Sequence, residues 1–109
     1  MVGFRIDPNR AAEFIRAAQQ LGRVRRRNGA IRWAIFSDPF DPAHYVETYV
    51  LESWLARERQ LERFTLADRA LRDHVFSFQT GDTPPVVSRL LLARPPEISS
   101  NPAPGQTGD

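Results

Sequence analysis

The sequence contains no cysteine, so disulfides, thiolate metal sites and a cysteine nucleophile are all excluded. It contains no lysine either, and all 15 basic residues are arginine. Because lysine titrates near pH 10 and arginine does not, the high isoelectric point reflects the missing lysine and not a large charge. The formal net charge is only +2, which gives no indication of a nucleic-acid partner.

Several other signatures are absent as well. No apolar run approaches the roughly 20 residues that a membrane-spanning helix needs. There is no glycine-rich phosphate loop and no GxSxG elbow, and the scattered acidic residues Asp38, Asp41, Glu52 and Glu58 do not form a metal-ligand pattern. We therefore expect no metal and no cofactor, and no motif in the chain names a reaction.

What is present is a chain of 109 residues, which predicts one domain with alternating strand and helix patterns. Asp7-Pro8 is a typical helix start, and Asn28-Gly29 is a typical helix end. Thr65 and Asp68 have the spacing of a capping box. The patterns predict strands at Val2–Ile6, Ala30–Ser37, His44–Ser53 and Val86–Ala93, and helices from Asp7 to about Arg27, over Trp54–Arg63 and from Thr65 towards Gly81.

This order predicts an α+β domain of the ferredoxin-like type, βαββαβ, over residues 1–93. Its four-stranded antiparallel sheet would carry the helices on one face, with the second and third strands forming a hairpin. Residues 94–109 are rich in proline, serine and glycine and have almost nothing to bury, so we predict a flexible tail.

Both faces of this sheet would carry apolar side chains. In the second strand, Trp33 and Ile35 alternate with Ala34 and Phe36, and the third strand alternates in the same way. Helices can cover only one face, and large exposed apolar patches usually mark an interface or a binding groove. We therefore expect a homodimer in which two sheets pair to form a dimeric α/β barrel.

Four segments resemble a known family: residues 4–8 (FRIDP), 23–30 (RVRRRNGA), 45–55 (YVETYVLESWL) and 65–71 (TLADRAL). Together they resemble the soluble C-terminal domain of bacterial major-facilitator efflux proteins of the transmembrane secretion effector type. That domain is similar to the antibiotic biosynthesis monooxygenase fold, a dimeric ferredoxin-like barrel. The resemblance covers roughly residues 4–93, and the membrane helices of the transporter are not in this chain.

The resemblance implies a soluble, cytoplasmic binding or assembly module whose partners are a second copy and possible transporter portions. The alternative that it implies is a cofactor-independent monooxygenase acting on an aromatic polyphenol or quinol in the barrel cavity. Such an enzyme uses polar side chains and a tryptophan, without metal or flavin. We expect no nucleic-acid partner, because the end of a helix accounts for the arginine run at 23–27.

The candidate catalytic residues are Trp54 and His74, which the resemblance places after the third strand and on the second long helix. The heme-degrading relatives also use an asparagine on the first strand, and Val2–Ile6 offers none. His74 lies on a predicted apolar stripe, so the structural alternative is a buried neutral histidine. The other residues of the stripe are Ala67, Ala70, Leu71, Val75 and Phe78. For Trp54 the alternative is ordinary packing.

Arg32, Trp33 and Tyr49 are the candidates for a cavity lining or a dimer face. Trp33 is more typical of core or dimer packing than of substrate stacking. Arg32 and Glu47 have strand positions that would let them form an ion pair across the hairpin. A shift of one residue in register would instead put the two side chains on opposite faces.

Overall fold

A computed structural model describes residues 1–88 together with Leu90 and Pro95, and it gives only the backbone for residues 56, 60 and 61. The elements are β1 (Val2–Arg5), a 3-10 turn (Pro8–Arg10), α1 (Ala11–Arg27), β2 (Arg32–Asp38), β3 (Asp41–Val50), α2 (Trp54–Arg63), α3 (Leu66–Phe76) and β4 (Val86–Val87). The protein is therefore an α+β domain, as predicted, with three helices.

The four strands form one open sheet in the order β2-β3-β1-β4, and every neighbouring pair is antiparallel. The predicted hairpin of β2 and β3 is confirmed, with Trp33 opposite Tyr49 and Ile35 opposite Glu47. In the middle of the sheet, Phe4 of β1 lies opposite Tyr45 of β3.

The hairpin turn is shorter than the two prolines predicted, so β3 begins at Asp41 instead of His44. The Asp38 carboxylate accepts a hydrogen bond from the Phe40 backbone N–H at 2.8 Å, which closes the turn within two residues. At the other end, β3 stops at Val50 and not at the predicted Ser53. The predicted fourth strand is described at Val86–Val87, and most of its remainder and of the predicted tail lies outside the described residues.

The end of α1 and the start of α3 follow the predicted capping residues, but α3 ends at Phe76 and not near the predicted Gly81. Asp7 accepts the backbone N–H of Asn9, although the first turn after it is 3-10 and α1 proper starts at Ala11. Gly29, just beyond α1, has φ 110°, a conformation that glycine adopts at little cost. The capping box of Thr65 and Asp68 opens α3 with both of its hydrogen bonds present.

The core lies between one face of the sheet and the helices α1 and α3. Phe4 of β1 contacts Phe14 of α1 and Phe76 of α3 edge to face, with ring centroids 5.0 and 5.5 Å apart. Both helices therefore pack on the same face of the sheet, as predicted. The buried hydrophobic core consists of Val2, Phe4, Ile6, Phe14, Ala17, Ala18, Leu21, Val24, Tyr45, Val75 and Phe78.

The prediction for the buried stripe of α3 is partly wrong. Val75 and Phe78 are buried and Leu71 packs against the core, as predicted. Ala67, Ala70 and His74 are exposed, and Asp68 is buried instead. The reason is an ion pair between helices: Arg27 Nη2 of α1 lies 2.5 Å from Asp68 Oδ2. This contact turns Asp68 towards α1 and leaves His74 on the outer side of the helix.

The opposite face of the sheet has no described element packed on it. From the register, it carries the charged or imidazole side chains of Arg5, Arg32 and His44 as well as Ala34 and Phe36 of β2, Val46, Thr48 and Val50 of β3, Gly3 of β1 and Val86 of β4. Phe36 is 55% exposed, and Val50 and Val86 are exposed as well. We call this set of residues the open sheet face.

Candidate functional site

A buried cluster of polar and aromatic side chains lies between α1 and the hairpin. Glu47 of β3 is only 1% exposed, and Arg25 of α1 is 7% exposed. The Trp33 indole Nε1 donates a hydrogen bond of 2.7 Å to Glu47 Oε2, and Arg25 Nε approaches the same oxygen at 3.4 Å. The cluster thus holds a carboxylate between an indole and a guanidinium, away from water.

Alternation along the strands explains why these three side chains meet. Glu47 lies opposite Ile35 in the hairpin, and Trp33 lies opposite Tyr49. Residues opposite each other share a face of the sheet, and all four side chains lie on the face that the helices cover. Arg25 follows Leu21 by four positions in α1, so it lies on the helix stripe that faces the sheet.

Aromatic rings surround the Arg25 guanidinium. It lies 4.4 Å from the centroid of the Tyr49 ring and 5.9 Å from that of Phe64. A weakly hydrated, planar guanidinium tolerates such stacking, whereas an ammonium group would lose more hydration. Arg25 is therefore held by both an acid and two rings in the core.

Gly22 makes room for the indole. A Cβ atom built at this position would lie 2.5 Å from the Trp33 ring, well inside van der Waals contact. Because Gly22 has no side chain, the Trp33 ring lies directly against the backbone of α1. The indole N–H of Trp33 is then directed at Glu47.

One oxygen of the cluster has no partner. Within the described part of the chain, Glu47 Oε1 is buried and accepts no hydrogen bond. A buried carboxylate that lost either donor would be strongly destabilising, because the cost of removing its charge from water is already high. The cluster fixes α1 against the hairpin, and its carboxylate is too enclosed to meet a substrate in this conformation.

The structure brings together some of the predicted site residues and separates others. Trp33 and Tyr49 are register partners on the helix-covered face, and both belong to the buried cluster. Arg32 is exposed and pairs in register with Val50 on the open sheet face. The predicted ion pair of Arg32 with Glu47 is wrong, because the two side chains lie on opposite faces, and Arg25 takes that place.

The two candidate catalytic residues lie on different helices and contact different partners. Trp54 begins α2, is exposed, and has the Arg57 guanidinium 5.1 Å from its ring. His74 lies near the end of α3, and its ring is 5.2 Å from that of Phe78. The expected burial of His74 is wrong, because the ion pair with Arg27 places Asp68 on the inner side of α3 and leaves His74 on the outer side.

Charged groups close the hairpin on the surface. His44 Nδ1 lies 3.0 Å from Asp38 Oδ2, and Arg5 of β1 forms an ion pair with Asp41. The hydrogen bond from His44, with the Phe40 N–H, lowers the pKa of Asp38 below its ordinary value. The Arg5 guanidinium and the Ala43 N–H lower the pKa of Asp41 in the same way.

Arg25 and Gly22 belong to the buried cluster but were not among the residues predicted from the sequence. A signal for Arg25 was present, since its helical position continues the stripe of Phe14, Ala18 and Leu21. Gly22 gave no local signal, because its role depends on the tryptophan of a different element.

The fold and the buried cluster together define a small α+β domain with an acid–arginine–indole core. A sequence model of the transmembrane secretion effector family matches residues 1–96, and the chain belongs to that family. Searches of curated proteins and of solved structures gave no significant match. Among the described helices, none has both the length and the apolar character needed to cross a bilayer. The described residues also contain no group of three acidic or histidine side chains placed to hold a metal ion.

Proposed function

We propose that this chain is a ferredoxin-like module of a transmembrane secretion effector, which pairs with a second copy through its open sheet face. The family supports the link to a transporter. The order of the strands and the packing of α1 and α3 on one face support the ferredoxin-like assignment. The module lies on the cytoplasmic side and contributes assembly or binding, with the membrane portion as a neighbour.

The observation that carries the proposal is the apolar character of the open sheet face. Phe36, Val50 and Val86 are exposed there on three different strands, and Val46 lies between them in register. At about 25 cal/mol per Å² of apolar surface, covering such a patch is favourable by several kcal/mol. Soluble proteins seldom leave such a patch open to water.

A second copy of the same face fits this surface better than a charged partner does. Phe36, Val46, Gly3 and Val86 form a row across all four strands, and the charged residues lie towards the strand ends: Arg5, whose charge is met by Asp41, and Arg32 opposite Val50. Gly3, between Val46 and Val86 in register, has no side chain to hold two sheets apart. A two-fold axis through the face would bring Phe36 of each copy against the other sheet.

The test is the mass in solution. We expect light scattering at micromolar concentration to give twice 12.4 kDa for the unchanged chain and about 12.4 kDa for Phe36→Glu. Leu66→Glu is the matched control, because Leu66 is 84% exposed on α3, on the other side of the sheet. A monomer in the unchanged chain, or equal masses for Phe36→Glu and the unchanged chain, would overturn the dimer.

The monooxygenase alternative stays a prediction without a specific structural observation in its favour. Trp54 and His74 are both accessible, so their roles can be tested without disturbing the core. Oxygen uptake with a panel of dihydroxyaromatics that disappears in both Trp54→Ala and His74→Ala would replace the module proposal with the enzyme.

A further inference from the structure

A cleft of about 220 Å³ lies where α1 ends beside the segment that joins β3 to α2. It is separate from the open sheet face and from the buried cluster, because none of its residues belongs to either. Its walls combine cationic, amide, hydroxyl and apolar groups from three parts of the chain. The lining residues are Asn28, Gly29, Glu52, Ser53, Leu55, Arg59 and Arg63.

Asn28 forms part of the cleft wall and carries a buried donor without a partner. The residue is 3% exposed, and its side-chain Nδ2 has no hydrogen-bond partner in the described part of the chain. An unpaired buried donor costs about 1–3 kcal/mol, so native structures rarely leave one without an acceptor.

Arg59 and Arg63 give the cleft two cations. They are four positions apart in α2 and therefore lie on the same side of the helix. None of the ion pairs between described residues includes either of them. The end of α1 favours nearby cations through its dipole, but that effect does not account for the unpaired amide donor of Asn28.

From this arrangement we propose that the cleft binds the carboxylate of a small organic acid. The two arginines and Glu52 leave the lining with one net positive charge, which matches a monoanion better than a dianion. A guanidinium fork fits the planar carboxylate with two parallel hydrogen bonds. The Asn28 amide lies in the wall next to the bound carboxylate, and Leu55 adds an apolar side chain to the lining.

Nuclear magnetic resonance on the full chain tests this proposal, with sodium benzoate as the probe and benzyl alcohol as its neutral analogue. We expect the Asn28 side-chain amide signal to shift and saturate at millimolar benzoate, while benzyl alcohol leaves it unchanged. Because the readout is local to the cleft, it does not depend on whether the chain is a dimer.

Variants of opposite charge sign make the test sharper. Arg59→Gln and Arg63→Gln should each weaken benzoate binding about three- to tenfold, and Glu52→Gln should strengthen it. Arg69→Gln on α3 is the matched control for the loss of one surface arginine, and it should bind as the unchanged chain does. The same chemical shifts elsewhere in each variant will show that it is folded.

Two results would overturn the proposal. One is the absence of a saturable shift of the Asn28 amide in the unchanged chain. The other is an equal affinity for benzoate in Arg59→Gln, Arg63→Gln and the Arg69→Gln control, which would mean that the acid responds only to overall charge.

Discussion

Trp33 Nε1 and Glu47 Oε2 are joined by a hydrogen bond of 2.7 Å that links β2 to β3 beneath α1. The bond places an indole and a carboxylate on the same face of the hairpin, where Arg25 completes the cluster from the helix. Removing charge from water is costly, so each member of the cluster depends on the other two.

The first prediction concerns the buried pair of Arg25 and Glu47. Glu47→Gln should lower the free energy of unfolding by about 3 kcal/mol, because it leaves the Arg25 guanidinium buried without its acid. Arg25→Met should have a cost of similar size. The double variant should lose less stability than the two single variants lose together, because it removes both members of the charged pair. Urea unfolding of all four proteins measures this coupling.

The surface pair of Arg10 and Glu13 is a suitable control for that cycle, because both side chains are largely exposed and lie one helical turn apart. Its coupling energy should be below about 1 kcal/mol. Additive effects of the two changes at Arg25 and Glu47 would contradict the assignment of the cluster as one interacting unit.

The second prediction concerns Gly22. In an ordinary helix, changing glycine to alanine raises the free energy of unfolding by about 1 kcal/mol. Here Gly22→Ala should instead destabilise the protein by about 1–3 kcal/mol, because its Cβ would enter the Trp33 ring. Thermal unfolding measures the sign. Gln20→Ala, at an exposed position of the same helix, should change stability by less than about 0.5 kcal/mol.

A rise in melting temperature for Gly22→Ala would show that the indole can move away from α1 without loss. The intrinsic fluorescence of Trp33 should shift in this variant if the ring is displaced, and it should remain unchanged in Gln20→Ala.

The third prediction concerns the pH dependence set by Asp68. The backbone N–H of Thr65 donates to the Asp68 carboxylate, and this bond with the Arg27 guanidinium keeps its pKa below the ordinary value, although burial acts in the opposite direction. A group whose pKa is lower in the folded state stabilises the protein above its unfolded pKa near 4. That stabilisation is lost as the pH falls through the folded pKa.

Asp68→Asn should therefore lower stability by about 1–2 kcal/mol at pH 7. This difference should shrink as the pH falls below the unfolded pKa of about 4. Chemical unfolding at several pH values gives the comparison. Asp73→Asn, which changes an exposed acid on the same helix, should follow the pH profile of the unchanged chain. An Asp68→Asn profile parallel to that of the unchanged chain would refute the role of this carboxylate.

The local elements were predictable because their signals are local. Asp7, Gly29 and the pair of Thr65 and Asp68 mark helix ends through hydrogen bonds or backbone angles within a few residues. Alternating residues likewise predicted the hairpin of β2 and β3. The strand ends were less predictable. The two prolines predicted a longer turn, whereas the contact of the Asp38 side chain with the Phe40 backbone N–H closes a shorter one.

The partners of the candidate residues were not predictable in the same way. Glu47 could have met Arg32 or Arg25, and a difference of one residue in register decides between them. The sequence did not show whether His74 or Asp68 lies on the inner side of α3. The ion pair of Asp68 with Arg27 on α1 places Asp68 there.

The amino-acid sequence by itself determined where helices and strands form and which family the chain belongs to, since both depend on order along the chain. Only the tertiary structure decided that Arg25 neutralises Glu47, that Gly22 accommodates Trp33 and that His74 faces outward. These outcomes depend on the register of the strands and the rotation of the helices. Both are fixed when distant segments compete for the same small space in the core.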